Sequence, residues 1–218
     1  MGTLIVTKFI PFYTLFIATI VAHSTVAQQL NQQSDNNTSS TELAISDEAN
    51  EQRFIRSIAS DVLNVIKAEQ SLSETKTELE AIFNRTIDID WVGRFVLGRH
   101  WRKADDSQKA QFVSSYRSFM VNSYAERLKE YSGETYDISS PRSLGNDKSA
   151  LTMTLYRDNG KPVLIDYKVR AEEGQYRIYD IVVEGISLIA TQRSEFNSVI
   201  NRKGLDFLIN ALEKKSRT

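Results

Sequence analysis

Apolar residues recur along this chain with two different periods, and the change from one to the other divides it. Up to Tyr131 the spacing is three or four, the mark of helices with one buried face. Phe54, Ile58, Val62 and Val65 or Ile66 predict a first helix from about Glu51 to Glu69. Ser71-Leu72-Ser73-Glu74 is a capping box opening a second, with Leu79, Ile82 and Phe83 on one face. Ile87–Leu97 is apolar on several sides and predicts a short buried helix that Gly98 stops. Asp105, with Gln108 after it, caps a long helix from Ser107 to Tyr131 that Gly133 closes. Its inner stripe is Phe112, Tyr116, Phe119, Met120, Tyr124, Leu128 and Tyr131.

Beyond Gly133 the period falls to two. Tyr136–Ser139 is a short strand, and Ala150–Tyr156 sets Leu151, Met153 and Leu155 against Thr152 and Thr154. Asp158-Asn159-Gly160-Lys161 is a hairpin signal. The returning strand puts Val163, Ile165, Tyr167 and Val169 on one face and Leu164, Asp166, Lys168 and Arg170 on the other. Glu172-Glu173-Gly174 turns into a third long strand through Ile178, Ile181, Val182 and Val183, which Glu184-Gly185 breaks. From Ile186 the spacing becomes helical again, through Ile189, Phe196, Val199 and Ile200. Gly204 ends that helix, and Leu205, Leu208, Ile209 and Leu212 begin another. The pattern is an antiparallel meander with one apolar and one polar face, preceded and followed by helices. That is an α+β fold with the helices laid on one side of the sheet.

Ahead of this unit lie two segments of different character. Lys8, the uncharged run Phe9–Ala22 and Thr25-Val26-Ala27 read as a signal peptide, residues 1–27, whose apolar run is short for a membrane span; the alternative, an uncleaved anchor, rests on how little positive charge the flank carries. Residues 28–50 are rich in Gln, Asn, Ser and Thr and read as a flexible tether, because such a segment buries too little to offset its ordering entropy. The folded domain is then 51–218, in an exported protein.

Composition narrows the chemistry. Lys and Arg number 27 against 28 Asp and Glu, so no basic field recruits nucleic acid. There are no cysteines and two histidines, one of them in the leader. A Ser-His-Asp triad would have to use His100, and no Gly-x-Ser-x-Gly elbow accompanies it. Asp88 with Asp90, and Asp105 with Asp106, sit where helix starts want carboxylates. Neither catalytic residues, a metal site nor a cofactor is expected. What the chain has in quantity is apolar stripe. Those stripes either fill one another as a dry core or enclose a cavity for an apolar ligand, and periodicity alone does not separate the two.

Three stretches carry a family resemblance: Leu97–Phe112 (LGRHWRKADDSQKAQF), Val163–Arg170 with Gln175–Phe196 (VLIDYKVR and QYRIYDIVVEGISLIATQRSEF), and Ile200–Leu212 (INRKGLDFLINAL). In order and spacing they resemble the MlaC family, the toluene-tolerance auxiliary proteins of an ABC transporter, over roughly Asn50 to Leu212. Tyr176 stands where the family generally has tryptophan, and Ala190-Thr191-Gln192 replaces an Asn-Tyr type sequence. The resemblance implies a periplasmic phospholipid carrier of Gram-negative bacteria. Such a carrier shuttles lipid between an inner-membrane MCE-domain ABC transporter and an outer-membrane lipoprotein-porin complex, maintaining outer-membrane asymmetry. It also implies a four-stranded sheet whose apolar cavity, closed by helices, holds phospholipid acyl chains as cargo. A monomer is expected. Tyr124 and Ile186 are similar to family positions that face the cavity. Periodicity adds Tyr116 and Met120 on the long helix, Met153, Ile165, Tyr167 and Val169 on the sheet, and Ile189 after the glycine corner. The competing expectation is an exported adaptor with a dry core and no lipid cargo.

Overall fold

The computed structural model describes residues 48–68, 70–128, 135–156 and 160–216. The expected leader, the tether up to residue 47, Gly133, the Asp158-Asn159 corner and the side chains of Tyr124 and Leu128 lie outside the described residues.

Local signals place the first helices. In α1 (Asn50–Lys67) the Ala49 amide donates to Gln52 Oε1 at 3.2 Å. Ahead of α2 (Leu72–Thr86), Ser71 and Glu74 exchange bonds, Ser71 N to Glu74 Oε2 at 2.9 Å and Glu74 N to Ser71 Oγ at 3.3 Å. Asp88 caps α3 (Ile89–Leu97) by accepting from Trp91 N at 3.1 Å. A single turn, Gly98–His100, leads to α4 (Asp106–Leu128), where Asp105 and Gln108 bond reciprocally at 2.8 and 3.3 Å. These pairs satisfy amides that a helix start otherwise leaves without partners.

The strands are β1 (Thr135–Ile138), β2 (Arg142–Gly145), β3 (Lys148–Tyr156), β4 (Val163–Glu172), β5 (Gln175–Val183) and β6 (Ile186–Ser187). They form one antiparallel sheet in the order β1-β3-β4-β5-β6, with β2 also paired to β3. Among the described residues six strands replace the four expected. β2 is exposed at every position and so has no alternation to read, while β6 is only two residues long.

Three of the tight turns share one geometry. Asn146-Asp147, Glu173-Gly174 and Glu184-Gly185 each place both central residues at positive φ. That twist matches the right-handed twist of paired strands. It also overturns the expectation that Ile186 opens a helix. After the Glu184-Gly185 turn the chain folds back on β5, with Val183 opposite Ile186 and Val182 opposite Ser187. Helix α5 (Leu188–Lys203) starts after it, its first turn capped by Ser187 Oγ, which accepts from Ala190 N at 3.2 Å. Gly204, at φ 88°, separates α5 from α6 (Leu205–Ser216).

Buried apolar residues fall into three groups rather than one continuous core. The largest joins α3, α4, α5 and α6 through Val96, Phe112, Tyr116, Phe196 and Ile209, with Phe112 and Tyr116 stacked and Phe196 edge-on to both. A second joins α1 to the sheet through Ile55, Ile138, Leu151, Met153, Val169 and Ile178. The third ties α1, α2 and α4 through Val65, Leu79, Ile82, Val121 and Ala125. Ile87, Ile58 and Phe83, each partly buried, touch two groups apiece. A single-domain core is usually contiguous, so the division separates the sheet layer from the helix bundle.

Candidate functional site

Residues directly opposite each other in an antiparallel pair share a face, so the strand register shows which side chains line up across the sheet. Ile138, Met153, Ile165, Val183 and Ile186 form one row over β1, β3, β4, β5 and β6. Its burial falls steadily: Ile138 and Met153 are buried, Ile165 and Val183 half-buried, and Ile186 is 42% exposed. A second row, Leu151, Tyr167 and Ile181, runs beside it. A bulge in β5 then brings Ile178 opposite Val169, keeping both on the same face. Phe54, Ile55, Ile58 and Ala59 of α1 cover the buried end. Apart from the buried Ser149 opposite Val169, the face is therefore apolar, closed at one end and open towards β6.

Tyr167 sits in the middle of this face. It retains accessible surface, yet burial pushes its hydroxyl up to about 12, with the nearby Tyr136 phenol adding to the effect. Its hydroxyl points at Met153 Sδ, 3.9 Å away, a weak acceptor. Surface that a water-sized sphere reaches, but that is too apolar to favour a charge, suits a hydrocarbon ligand better than a polar one.

The opposite face holds charge in a fixed arrangement. Lys168 Nζ lies 3.0 Å from Asp180 Oδ2, and the Asp180 side chain is only 3% exposed. Ser187 Oγ also donates to Asp180 at 2.9 Å, so one carboxylate ties β4, β5 and the start of α5 together. Glu184 closes the same corner: its carboxylate accepts from Leu164 N at 2.7 Å, and its amide donates to Leu164 O at 3.0 Å. Lys168 is thus the partner of a buried carboxylate rather than a freely solvated residue of a polar face.

The expected lining residues separate accordingly. Met153, Ile165, Tyr167 and Val169 come together on the apolar face, and Ile186 stands at its open edge. Tyr116 and Ile189 belong to the helix bundle, with Met120 packed against it. There Tyr116 Oη bonds the buried Gln192, whose Nε2 lies 3.2 Å from Met120 Sδ. Sequence reasoning missed the contributions of Ile55 and Ile138. Ile55, Ile58, Val62 and Val65 recur at three, four and three, so the signal for Ile55 was present one residue from the stripe chosen. Among the described residues no group of three His, Cys, Asp or Glu could hold a metal ion. None of the described helices is long and apolar enough to cross a membrane.

A protein-family profile described as "MlaC protein" matches residues 56–214, well over half of the chain. The chain is 25% identical over 134 residues to the "Intermembrane phospholipid transport system binding protein MlaC" of Haemophilus influenzae, a match covering 60% of this chain and 63% of that protein. It is 20% identical over 129 residues to the "Toluene tolerance protein ttg2D" of Pseudomonas putida, covering 59% of this chain and 60% of the other. The matched stretch is thus under two thirds of either relative's length. Among solved structures, the fold is similar to that of a phospholipid-binding protein from Ralstonia solanacearum in complex with a phospholipid. The TM-score is 0.67 at 23% identity, over 78% of this chain and 98% of that one.

Proposed function

Given that the chain belongs to the MlaC protein family, we propose that it binds a phospholipid by laying the acyl chains along the apolar face of the sheet. The observation that carries this reading is the row Ile138–Met153–Ile165–Val183–Ile186, apolar across five strands and grading from buried to exposed. A dry core has no reason to continue into solvent in register. A hydrocarbon site with a mouth does: the chains lie inside and the headgroup stays in water at the β6 edge. Each buried CH₂ contributes ~0.8 kcal/mol, so two acyl chains supply well over ten before association costs, and little polar recognition is needed. The names of the two relatives and the bound lipid of the structural neighbour support the same class of cargo.

The protein works as a carrier rather than an enzyme. It is exported, its leader being removed at about Ala27, and it moves phospholipid between an inner-membrane ABC transport complex and an outer-membrane lipoprotein complex. The segment 28–47 is a tether, and the binding domain begins with the start of α1, where Ala49 bonds Gln52 and Glu48 pairs with Arg56. The test is transfer. Vesicles containing a fluorescent phospholipid, mixed with unlabelled acceptor vesicles, should exchange lipid at a rate proportional to added protein. A rate no greater than that of vesicles alone, with the protein folded throughout, contradicts the carrier reading and favours an adaptor with a dry core.

A further inference from the structure

One feature of the helix bundle plays no part in lipid binding as described. Between α3, the turn after Gly98 and α4 lies a cleft of about 330 Å³, lined by Asp90, Trp101, Lys109, Val113, Ser114 and Arg117. No residue of the sheet contributes to it. Beside it Gly93 lets α3 pack close to α4: a Cβ there would lie 3.3 Å from Val113 and 3.8 Å from the Trp101 ring. Two cations lie near the Trp101 ring, Arg94 at 5.8 Å and Lys109 at 6.0 Å from its centroid. Arg117 Nε is buried and has no hydrogen-bond partner among the described residues. Lys109 reaches Asp106 at 3.1 Å, but that carboxylate is fully exposed, so the pair is weak and exchangeable.

The surroundings have a strong sign. From residue 90 to 117 the chain carries Arg94, Arg99, Arg102, Lys103, Lys109 and Arg117 against Asp90, Asp105 and Asp106, although the chain as a whole is at −1. Lys109, Val113 and Arg117 follow one face of α4, which sets the two cations about 12 Å apart along the axis with an apolar wall between them. An extended peptide advances about 3.3 Å per residue, so carboxylates four residues apart would meet both cations.

From this geometry we propose that the cleft is a docking socket for an acidic segment of a partner protein. Two carboxylates pair with Lys109 and Arg117, and an apolar or aromatic side chain between them lies on Trp101 and Val113. Charge complementarity selects the occupant, and Asp90 narrows it further. A compact, multiply charged anion such as phosphate would sit against that like charge, whereas an extended segment places its carboxylates at the two ends. The proposal concerns a surface separate from the lipid face and stands or falls independently of the cargo.

A random twelve-residue peptide library, panned on the full mature chain and counter-selected on Lys109→Glu/Arg117→Glu, tests it. Recovered peptides should carry acidic residues bracketing an apolar one. As fluorescent ligands they should lose at least tenfold in affinity on Arg117→Met or Trp101→Ala, and weaken with added salt. Lipid content and far-ultraviolet spectrum should be unchanged in both variants. If the double reversal does not fold, Lys109→Gln serves as the counter-selecting protein. Failure to recover acidic peptides, or equal binding to Arg117→Met, overturns the proposal. Saturable binding of inorganic phosphate or of phosphatidylglycerol vesicles that Arg117→Met abolishes, with no peptide bound, also overturns it and makes the cleft an anion or headgroup site.

Discussion

Replacing Ile186 with Glu separates a site with a mouth from a filled core at a single residue. Ile186 ends the cross-strand row and is 42% exposed. Full burial of an isoleucine contributes about 1.5–3 kcal/mol, so roughly half of that is at stake in folding, and the variant should lose only ~1 kcal/mol of stability. Its carboxylate remains in water at the sheet's edge. Against bound acyl chains the same carboxylate loses that water, at a cost of several kcal/mol. A penalty near 3 kcal/mol weakens lipid retention about a hundredfold. Ile186→Glu should therefore keep the parent's far-ultraviolet spectrum and lose its lipid, measured as moles of phospholipid per mole of protein after solvent extraction. Two comparisons frame the result. Val169→Glu, at 0% exposure on the same face, should fail to fold, because the charge is buried without a partner. Asn210→Glu, on the exposed side of α6, should keep both fold and cargo. A folded, fully loaded Ile186→Glu refutes the placement of the mouth, and an unfolded one refutes the claim that the row opens to solvent.

Other outcomes follow from the same structure. Lys168→Ala leaves the nearly buried Asp180 with Ser187 but no cation, and chemical denaturation should show a loss of about 1–3 kcal/mol, larger than an exposed lysine would give. Tyr167 supplies a pH signature. Its folded pKa of about 12 lies above the unfolded value of 10.0, so between these the unfolded chain has released a proton that the folded chain keeps. Stability present below pH 10 should thus fall by about 1.4 kcal/mol per unit up to pH 12, and Tyr167→Phe should flatten that fall. Deleting residues 28–47 should leave the melting temperature nearly unchanged, since the segment offers no apolar face. A drop of several degrees would show that it packs on the domain.

Much of the fold is written in periodicity, and where it is not, the reason is physical. Capping pairs such as Ser71–Glu74 and Asp105–Gln108 are short-range chemistry and survive folding intact. The long strands β3 and β4 are legible because apolar and polar residues alternate along them, whereas in β5 Asp180 and Val182 are buried on the face opposite Ile181 and Val183. β2 pairs with β3 but is exposed at every position, so its residues Arg142–Gly145 carry no pattern. Ile186 sits in a helical spacing with Ile189, yet the turn at Glu184-Gly185 needs two residues at positive φ and returns the chain as a strand. That is a backbone preference acting against a side-chain period. Lys168 alternates as a surface residue does, and only the register reveals Asp180 beside it. The candidate site was legible in part for a related reason. Period-two alternation marks one face of a strand, and Met153, Ile165, Tyr167 and Val169 do share one face. Period 3.6 marks the buried side of a helix without saying what it is buried against. Tyr116 and Ile189 accordingly turn out to face other helices.

The most direct test of the account is the content of the protein as purified. The mature chain, isolated from a bacterial periplasm without detergent and extracted with organic solvent, should yield phospholipid by mass spectrometry in near-stoichiometric amount. The Ile186→Glu form should yield little. Recovery of folded, lipid-free protein that also takes no phospholipid from vesicles would contradict the claim that the apolar face of the sheet is a lipid site.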